Sequence, residues 1–538
     1  MTARNNSSPV SLSRWVYVIA LVYFALHLAT STRYGYFRDA LYYLACSEHL
    51  ALGYVDQPPL IAFLAWFARH TLGTSLPALI FWPALAGAAR VVLTAAFARE
   101  LGVGRFGAVL AAALAATPGV WWVIDHQFAM NCLEPLLWGG LAYVVLRLIN
   151  TRNPRLWLAY GAIAGIGLLN KYSIVFFAAA LIAGVLLTRQ RTILFTPWIL
   201  AGGAIAVLIF LPNLIWNIQH GWPFLELMRN VRATGKDVVL PPGQYLLQQV
   251  LMLNPVSFPF WFGGLLYLFF SRDAKMYRAF GWAFVITIAM FMITHGKDYY
   301  SAPAYVMLFA AGGAATERLL AKWRRGDAGT WRHGDPESSP RLRVSPSPHL
   351  RVLRPACFIW LLLGVVPLLP LVLPVLPIET FLRYQSHLPI ELPKTEKSFI
   401  GETLPQYYAD EFPWPGMVEA VARVYHSLTP EEQKRTAIFG NNYGQAAAID
   451  FFGPKYGLPK AISGHQNYFL WGPRDYTGDI VIVLGDEEEG ARKHFESVTV
   501  AATLNNPYAY RYENRPILLC RGLKWDLQKE WSKVKRWR

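Results

Sequence analysis

Charged side chains that could act in group transfer stand in short polar segments between long apolar runs. The first segment follows the apolar run at 15–31 and places Arg38 and Asp39 in an aromatic-rich stretch; Asp56 and Gln57 follow, just before two prolines. A carboxylate held where membrane and water meet can take a proton from an acceptor hydroxyl or amine. Asp39 and Arg38 could equally be ordinary solvated charges. The residues alone leave both interpretations open.

A second polar segment contains Asp125, His126, Asn131 and Glu134. Glu134 stands at the edge of an apolar helix, where an unpaired carboxylate is costly, so it is a second candidate for the catalytic acid or base. Asn131 followed by Glu134 is also the pattern of a helix capping pair, and the two interpretations are compatible. Asp125, His126 and Asn131 are candidates for lining a cavity that receives the acceptor.

Two further segments combine a cation with aromatic hydroxyls. Lys171 precedes Tyr172 and interrupts an apolar stretch, where a charge is expensive and therefore suggests function. The alternative is a lysine that snorkels to the interface from a helix end. Lys297 precedes Tyr299 and Tyr300, and such a cluster suits a phosphate headgroup, although it could be a headgroup-level belt. The neighbouring His295 and Asp298 are further candidates for the cavity.

The composition is that of a membrane protein. Of 538 residues, 54% are hydrophobic and only 16% are charged, which does not suit a soluble enzyme of this length. The net charge of +16 could suggest a nucleic-acid partner. However, the basic residues stand mostly in short loops between apolar runs, so we expect the lipid bilayer and no nucleic acid as the partner.

Eleven apolar runs are candidates for spanning helices, since a span needs about 20 apolar residues. They lie near 15–31, 78–98, 106–123, 133–149, 156–170, 172–188, 193–215, 256–270, 279–295, 301–317 and 356–377. Every second connection is rich in Arg or Lys, which predicts that these connections face the cytoplasm and the others face outward. The closely joined pair at 156–170 and 172–188 could be re-entrant instead.

The pattern predicts a polytopic α-helical membrane protein with a C-terminal extracytoplasmic α/β domain. The transmembrane core is expected at 1–320 and the last spanning helix at 356–377. Between them, 321–355 includes a stretch rich in Arg, Ser, Pro and Gly, and this segment is predicted to be a disordered cytoplasmic linker. The α/β domain is expected at 385–538, on the outer side of the membrane.

Strands alternate with a helix in the tail. The pattern predicts strands at 436–440, 479–485 and 517–520, with a helix through Phe452 after the first strand. The residues 441–444 directly follow the first strand, which is where α/β domains bind ligands. The four cysteines lie far apart and no compact His/Cys spacing occurs, so neither a disulfide framework nor a metal site is predicted.

Two motifs in the first outward loop carry a resemblance to a known family. Asp39 stands in an R-D-x-x-Y-Y pattern and Asp56 in a G-Y-x-D-x-P-P-L pattern. Together they resemble the bacterial family 39 glycosyltransferases of the GT-C superfamily, relatives of protein O-mannosyltransferases and of the aminoarabinose transferase that modifies lipid A. The N-K-Y-S turn at Lys171 and the H-G-K-D-Y-Y loop at Lys297 are similar to one subgroup. The resemblance covers about 15–317 and is weaker over the tail.

The resemblance implies an inverting glycosyltransferase of the bacterial plasma membrane. Such an enzyme takes a sugar from a polyprenyl-phosphate donor and transfers it to an extracytoplasmic acceptor, which could be a lipid, a polysaccharide or a protein of the cell envelope. By this resemblance Asp39 is the catalytic base, with Glu134 and Asp56 as alternatives, and Lys171 lies near the lipid phosphate. We expect no cofactor beyond the lipid-linked donor.

One position departs from the family pattern. In the aminoarabinose transferase branch, a lysine that contacts the lipid phosphate precedes the two prolines, whereas this chain has Gln57. The cations that contact the lipid phosphate are then expected to come from other positions in the chain. The candidates for the donor-phosphate site are Lys171, Lys297, Arg38, Tyr172, Tyr299, Tyr300 and Gln57 itself.

A transporter or flippase is the competing hypothesis. Transporters tend to place charged or broken helices at the midplane, often in related halves of the chain. Here the ionisable residues cluster at loop level on one face, and the halves do not match. A membrane-anchored sensor would leave most of the polytopic core unexplained. The pattern therefore favours the transferase.

Overall fold

The computed structural model describes residues 11–330, 348–388 and 396–538. Apolar and amphipathic helices form the part before the tail. They are α1 (Arg14–Thr30), α2 (Arg38–Glu48), α3 (Leu60–Thr71), α4 (Leu76–Glu100), α5 (Arg105–Ala115), α6 (Gly119–Ile124), α7 (Glu134–Thr151), α8 (Leu156–Asn170), α9 (Ile174–Leu186), α10 (Pro197–Gln219), α11 (Pro223–Thr234), α12 (Pro242–Met252), α13 (Phe258–Phe270), α14 (Arg278–Ile293), α15 (Tyr305–Thr330) and α16 (Pro348–Val372).

Each of the eleven predicted apolar runs is helical, with three differences in detail. The run at 106–123 divides into α5 and α6, because Pro118 has no amide hydrogen with which to continue the first helix. The last helix covers Pro348–Val372 instead of 356–377. The predicted linker at 321–355 was too long, since α15 continues to Thr330 and α16 begins at Pro348. The rest of that linker lies outside the described residues.

Several helices are long and apolar enough to cross a membrane, and the chain is a multi-pass membrane protein. By length and composition, five described segments qualify, and α12 with Pro255–Phe270 forms a sixth candidate that is bent by 92°. Four shorter apolar helices, α1, α5, α8 and α9, accompany them. The count of eleven spans stays a prediction. The five segments are Leu76–Glu100, Met130–Thr151, Pro197–Gln219, Lys275–Ile293 and Arg351–Val372.

The basic connections meet at one end of the helix bundle. Side chains from the α4–α5, α7–α8, α9–α10, α13–α14 and α15 segments make contacts there. The contacts are Arg147 Nη1 with Glu100 Oε1 at 3.3 Å, Arg152 Nη2 with Gln190 Oε1 at 2.5 Å, and Arg318 Nε with Asp273 Oδ2 at 3.9 Å. The candidate catalytic residues lie in the connections at the other ends of these helices.

The tail contains a four-stranded mixed sheet. Its order is β1–β2–β4–β3, with β1 parallel to β2 and the other pairs antiparallel. The three predicted strands and the helix after the first are confirmed, whereas β3 was missed. The tail elements are α17 (Ile378–Ser386), α18 (Gln406–Ala409), α19 (Trp414–His426), α20 (Pro430–Arg435), β1 (Thr436–Gly440), α21 (Tyr443–Phe452), α22 (Asn467–Trp471), β2 (Ile480–Leu484), α23 (Glu488–Arg492), β3 (Phe495–Ala502) and β4 (Ile517–Leu523).

One apolar core joins the tail to the segment between α1 and α4. Leu41 of α2 and Ile61 of α3 are fully buried in the same cluster as Trp414, Val421 and Ala447 of the tail. The α/β domain therefore packs directly on α2 and α3. This packing brings the start of α2 against the start of α21, where the candidate site lies.

Candidate active site

Asp39 lies in the first turn of α2 and faces the tail. Its Oδ1 accepts a 2.7 Å hydrogen bond from the hydroxyl of Tyr443, the first residue of α21. Burial raises the pKa of the Tyr443 phenol well above its usual value, so the phenol stays protonated and remains a donor. The Asp39 side chain is 29% exposed, so part of the carboxylate is open to an incoming group.

Arg38 links α2 to a second tail residue. Its Nη2 lies 3.1 Å from Oδ2 of Asp410, whose side chain is fully buried, and its guanidinium lies over the Tyr443 ring at 5.6 Å. The Nε atom is 4.0 Å from Oδ1 of Asp39, a longer and weaker approach. A Cβ at Gly444 would lie 2.5 Å from Arg38 Cγ, so the close approach of α21 requires glycine there. Sequence reasoning found Arg38 and singled out residues 441–444, but it missed Asp410 and the contact between Tyr443 and Asp39.

Asp56 is the second carboxylate of this region. Its Oδ1 accepts a 3.0 Å hydrogen bond from the Tyr42 hydroxyl. Burial raises the pKa of Asp56 to about 7; the Tyr42 hydrogen bond lowers it and the charge of Asp39 raises it. A pKa close to neutrality suits a group that exchanges protons, so Asp56 remains a chemically reasonable alternative base.

Gln57 does not lie in an accessible phosphate site, which corrects that prediction. The side chain is fully buried, and its Nε2 is 3.7 Å from Sγ of Cys46 in α2. The surrounding loop is held by the tail, because the amide of Val55 donates a 2.7 Å hydrogen bond to Oδ1 of Asn467. Gln57 therefore packs on the buried side of this loop.

Lys171 and Glu134, which were singled out separately, form one ion pair. Lys171 Nζ lies 2.9 Å from Oε2 of Glu134 and donates a 2.6 Å hydrogen bond to Oδ1 of Asn131. The same ammonium lies 4.3 Å from the ring centre of Tyr300. The predicted capping role of Asn131 is wrong, since α7 has no side-chain cap and the amide oxygen binds lysine instead. Ser173 donates a further hydrogen bond to Glu134.

Lys297 is also paired, with two residues that the sequence analysis did not single out. Its Nζ lies 3.1 Å from Oδ1 of Asp237 and 3.5 Å from Oε1 of Glu396. Lys236 lies 3.4 Å from the same Glu396 oxygen. Although burial opposes it, the nearby charges of Lys236, Lys297 and Arg38 lower the pKa of Glu396 to about 2, so it is a carboxylate at neutral pH. This cluster lies between the α14–α15 loop and the tail.

The remaining predicted donor-site aromatics lie near these lysines. The Tyr172 hydroxyl accepts a 3.2 Å hydrogen bond from the side-chain amide of Asn217. It donates a 3.0 Å hydrogen bond to Oδ1 of Asn213. Tyr299 and Tyr300 pack edge to face at 4.9 Å between ring centres. Tyr300 therefore stands between Lys171 and Lys297 with Tyr299 packed on it, whereas Tyr172 contacts α10 and α11.

His295 and Asp298 do not converge on Asp39. His295 is exposed at the end of α14, with a φ of 56°. Oδ1 of Asp298 accepts the amide hydrogen of Tyr299 at 2.8 Å, a local loop contact. Burial raises the pKa of Asp298. These two residues shape the loop that carries Lys297.

Asp125 and His126 lie inside the helix bundle, which corrects their prediction as residues of an acceptor cavity. Asp125 is fully buried, with its Oδ2 2.6 Å from Nη1 of Arg90 and 2.8 Å from the Tyr23 hydroxyl. The Nδ1 atoms of His126 and His27 are 3.2 Å apart. The three partners come from α1 and α4, so these polar groups contact one another within the core.

A cleft of about 610 Å³ opens beside Arg38, between α2, the α11–α12 connection and the tail. Sequence reasoning anticipated only its position after the first strand, through the residues 441–444. Among residues 11–330, 348–388 and 396–538, no group of three His, Cys, Asp or Glu side chains is arranged to hold a metal ion.

Three similarities to known proteins bear on this site. Residues 56–216 match the family model described as dolichyl-phosphate-mannose-protein mannosyltransferase. Over 191 residues the chain is 30% identical to the lipid A galacturonosyltransferase RgtD of Rhizobium johnstonii. That match covers 34% of this chain and 39% of RgtD, so the chain spans about two fifths of that relative.

The fold extends the likeness to nearly the whole chain. The crystal structure of ArnT from Cupriavidus metallidurans bound to undecaprenyl phosphate has a TM-score of 0.56 and 15% identity, covering 95% of this chain and 98% of ArnT. Its apo form has the same TM-score and identity, covering 94% and 97%. None of these proteins is a transporter, and the resemblance found in the motifs is confirmed. The chain therefore has the fold of ArnT, and its residues 56–216 carry the sequence pattern of the dolichyl-phosphate-mannose-protein mannosyltransferases.

Proposed function

We propose that the chain is an inverting glycosyltransferase that moves a sugar from a polyprenyl-phosphate donor to an acceptor outside the cytoplasm. The observation that carries this proposal is the partly exposed carboxylate of Asp39, held by Tyr443 at the junction of the two domains. The similarity to ArnT, which was crystallised with undecaprenyl phosphate, supports a lipid-linked donor. RgtD is named as a lipid A galacturonosyltransferase, so a glycolipid is one of the acceptors to be tested.

The reaction is a single displacement at the anomeric carbon of the donor sugar. The acceptor oxygen or nitrogen attacks this carbon while its proton passes to Asp39. The bond between the anomeric carbon and the phosphate oxygen breaks, and polyprenyl phosphate leaves with the electron pair. Because the leaving phosphate already carries charge, only the acceptor needs a base. We expect neither a metal nor a further cofactor.

The donor phosphate is assigned to the region of Lys171, Lys297 and the tyrosines between them. Both ammonium groups are balanced by carboxylates, Lys171 by Glu134 and Lys297 by Asp237 and Glu396. A phosphate oxygen would share or replace one of these partners. Ammonium–phosphate hydrogen bonds are charge-assisted and therefore stronger than neutral ones.

The proposed topology follows from the basic connections at one end of the helix bundle and the candidate catalytic residues at the other. We propose eleven spans in a bacterial plasma membrane, with the basic end in the cytoplasm. Asp39, the lysine pairs and the tail are then extracytoplasmic. The acceptor is a cell-envelope lipid, polysaccharide or protein that reaches the junction from that side.

Substitution of Asp39 tests the proposal. Asp39→Asn keeps the size of the side chain and can still accept a hydrogen bond, but it cannot take the acceptor's proton at neutral pH. Sugar transfer from a polyprenyl-phosphate donor should fall by about 10² to 10⁴ at matched expression in membranes. Asp273→Asn, at the basic end and 63% exposed, is the matched control and should transfer normally. If Asp39→Asn keeps more than about a third of the activity, the base lies elsewhere, with Asp56 as the next candidate.

A further inference from the structure

Two residues of opposite charge stand side by side at the start of α2, and each is held by a different residue of the tail. Oδ1 of Asp39 accepts a 2.7 Å hydrogen bond from the Tyr443 hydroxyl, whereas Nη2 of Arg38 lies 3.1 Å from Oδ2 of Asp410. The Asp39 side chain is 29% exposed, and that of Asp410 is fully buried. The accessible carboxylate is therefore bound to a neutral hydroxyl, and the guanidinium is bound to a carboxylate that no substrate can reach.

Arg38 keeps one donor that is directed at neither tail residue. Its Nε atom is buried and, in the part of the chain that the structure describes, has no hydrogen-bond partner. Oδ1 of Asp39 lies 4.0 Å from this nitrogen, which is too far for a hydrogen bond. Because a buried donor without a partner is costly, a guanidinium that was free to turn would move onto Asp39. The fold must therefore hold Arg38 in its place.

Asp410 is fixed at both of its backbone polar groups. It follows α18, and its amide donates a 3.1 Å hydrogen bond to the backbone oxygen of Gln406. Its own backbone oxygen accepts a 2.8 Å hydrogen bond from Nε1 of Trp414, whose side chain is fully buried. Within residues 11–330, 348–388 and 396–538, Arg38 is the only cation that pairs with this carboxylate. A buried carboxylate that loses its cation is strongly destabilising, so the pair holds the guanidinium on the tail side.

The first turn of α21 restricts the path of the Arg38 side chain. A Cβ at Gly444 would lie 2.5 Å from Cγ and 2.7 Å from Cδ of Arg38, so the two segments are in close contact. Cζ of Arg38 lies 5.6 Å from the ring centre of Tyr443, a cation–π contact. The aliphatic part of Arg38 thus lies in a narrow passage, and the carboxylates of Asp39 and Asp410 compete for its guanidinium.

We infer that Asp410 is a positioning residue for the transfer: by holding Arg38, it keeps the Asp39 carboxylate free to take the acceptor's proton. This inference rests on the proposed function for the role of Asp39 as the base. Arginine binds carboxylates through charge-assisted and often bidentate hydrogen bonds, which would occupy the oxygens that receive the proton. Loss of the Asp410 charge lets Arg38 turn onto Asp39, and the base is then blocked although it is still present.

Two measurements on the full-length protein in lipid nanodiscs test the inference. Both are made at about pH 8, where Asp410 is mostly ionised, since burial raises its pKa to about 7 although the charge of Arg38 lowers it. The first is carbodiimide-activated coupling of glycine ethyl ester to Asp39, read by peptide mass spectrometry without any substrate. The second is the kcat and KM of sugar transfer from a polyprenyl-phosphate donor.

Asp410→Asn should lower the coupling at Asp39 several-fold, because Arg38 then covers the carboxylate. Its kcat should fall by roughly ten-fold to a hundred-fold, the effect of about one charge-assisted hydrogen bond on the base. Its KM for the donor should stay within about three-fold of wild type, since the donor site is unchanged. Arg38→Gln/Asp410→Asn, which removes both members of the pair, should couple as wild type does and recover most of the kcat.

The matched control is Asp479→Asn, which breaks an exposed pair with Arg435 elsewhere in the tail and should change neither measurement. Wild-type coupling and kcat in folded Asp410→Asn would overturn the inference. Coupling in the double variant well above that of wild type would also overturn it, because Arg38 would then already cover Asp39 in the native protein. This comparison holds even if Asp410→Asn alone does not fold.

The thermal unfolding midpoint separates positioning from support of the fold. A kcat that stays low in the double variant, at the midpoint of wild type, would assign Asp410 a purely structural role and overturn the inference. The expected coupling pattern together with full transfer by Asp39→Asn would contradict the proposed role of Asp39 alone, because the coupling reports the position of Arg38 without any transfer.

Discussion

The hydroxyl of Tyr443 donates a 2.7 Å hydrogen bond to the carboxylate of Asp39, across 404 positions of the chain. Asp39 lies in the first turn of α2, and Tyr443 begins the helix after the first strand of the tail. The α/β domain is thus part of the candidate active site. Its residues orient the carboxylate to which we assign the role of base.

Tyr443→Phe removes this hydrogen bond and little else. Hydrogen bonds to charged groups contribute about 1.5–3 kcal/mol, so transfer should fall by roughly ten-fold to a hundred-fold. Tyr508→Phe removes a comparable phenol–carboxylate bond, 3.1 Å to Glu379 at the surface, and should leave transfer unchanged. Initial rates with a polyprenyl-phosphate donor provide the measurement. Equal effects of the two substitutions would show that Tyr443 does not orient the base.

Single and double substitutions of the Lys171–Glu134 pair distinguish an effect on stability from an effect on donor binding. Lys171→Met leaves Glu134 buried without its cation, which typically costs about 3–5 kcal/mol, so the thermal unfolding midpoint should drop markedly. The double variant Lys171→Met/Glu134→Gln should recover most of that loss. Donor binding should remain about ten-fold weaker in the double variant, because the phosphate lacks its ammonium. Wild-type donor affinity in a stable double variant would place the phosphate away from Lys171.

Asp56 should make stability depend on pH. Its pKa of about 7 in the fold exceeds the value of about 3.9 in an unfolded chain, so the folded state binds the proton more tightly. Its stabilising contribution is therefore complete below about pH 4 and is lost as the pH rises through 7. Asp56→Asn should raise the unfolding midpoint at pH 8 relative to wild type and change it little at pH 4. The difference in the free energy of unfolding between variant and wild type at pH 8 should be at most a few kcal/mol. A variant with the wild-type pH dependence of stability would contradict this prediction.

Reporter fusions test the topology. A reporter that is active only outside the cytoplasm should give signal when fused after Gly440, in the tail. The same reporter fused after Gly329, beyond the α15 contacts of the basic end, should be silent. The reverse pattern would exclude an extracytoplasmic site. A reporter after Arg152, in another basic connection, should match the fusion after Gly329.

The helices were predictable because hydropathy is a local property. Each of the eleven long apolar runs is helical in the structure. The strands at 436–440 and 480–484 were predictable because both of their faces are largely buried. β3 was missed because it is an edge strand that pairs only with β4, and in it Phe495 and Val498 are buried among mostly exposed residues. Its pattern is therefore not apolar enough to mark a strand.

Pairing between distant residues could not be predicted from one sequence. Lys171 and Glu134 were identified as costly charges, but nothing local shows that each is the other's partner. Asp125 was misassigned for the same reason, since its partners Arg90 and Tyr23 lie on other helices. A polar residue in an apolar setting indicates that a partner exists, and only the fold identifies that partner.

The packing of the tail on α2 and α3 has a consequence for biogenesis. Asp39 is made at the start of synthesis, whereas Tyr443 and Asp410 are added only after all the membrane helices. During translation and insertion, the nascent chain therefore carries Asp39 without the groups that orient it. In the topology that we propose, catalytic competence arises only when the late-made domain has crossed the bilayer, folded and docked. Quality control of that final docking step would therefore control the supply of active enzyme.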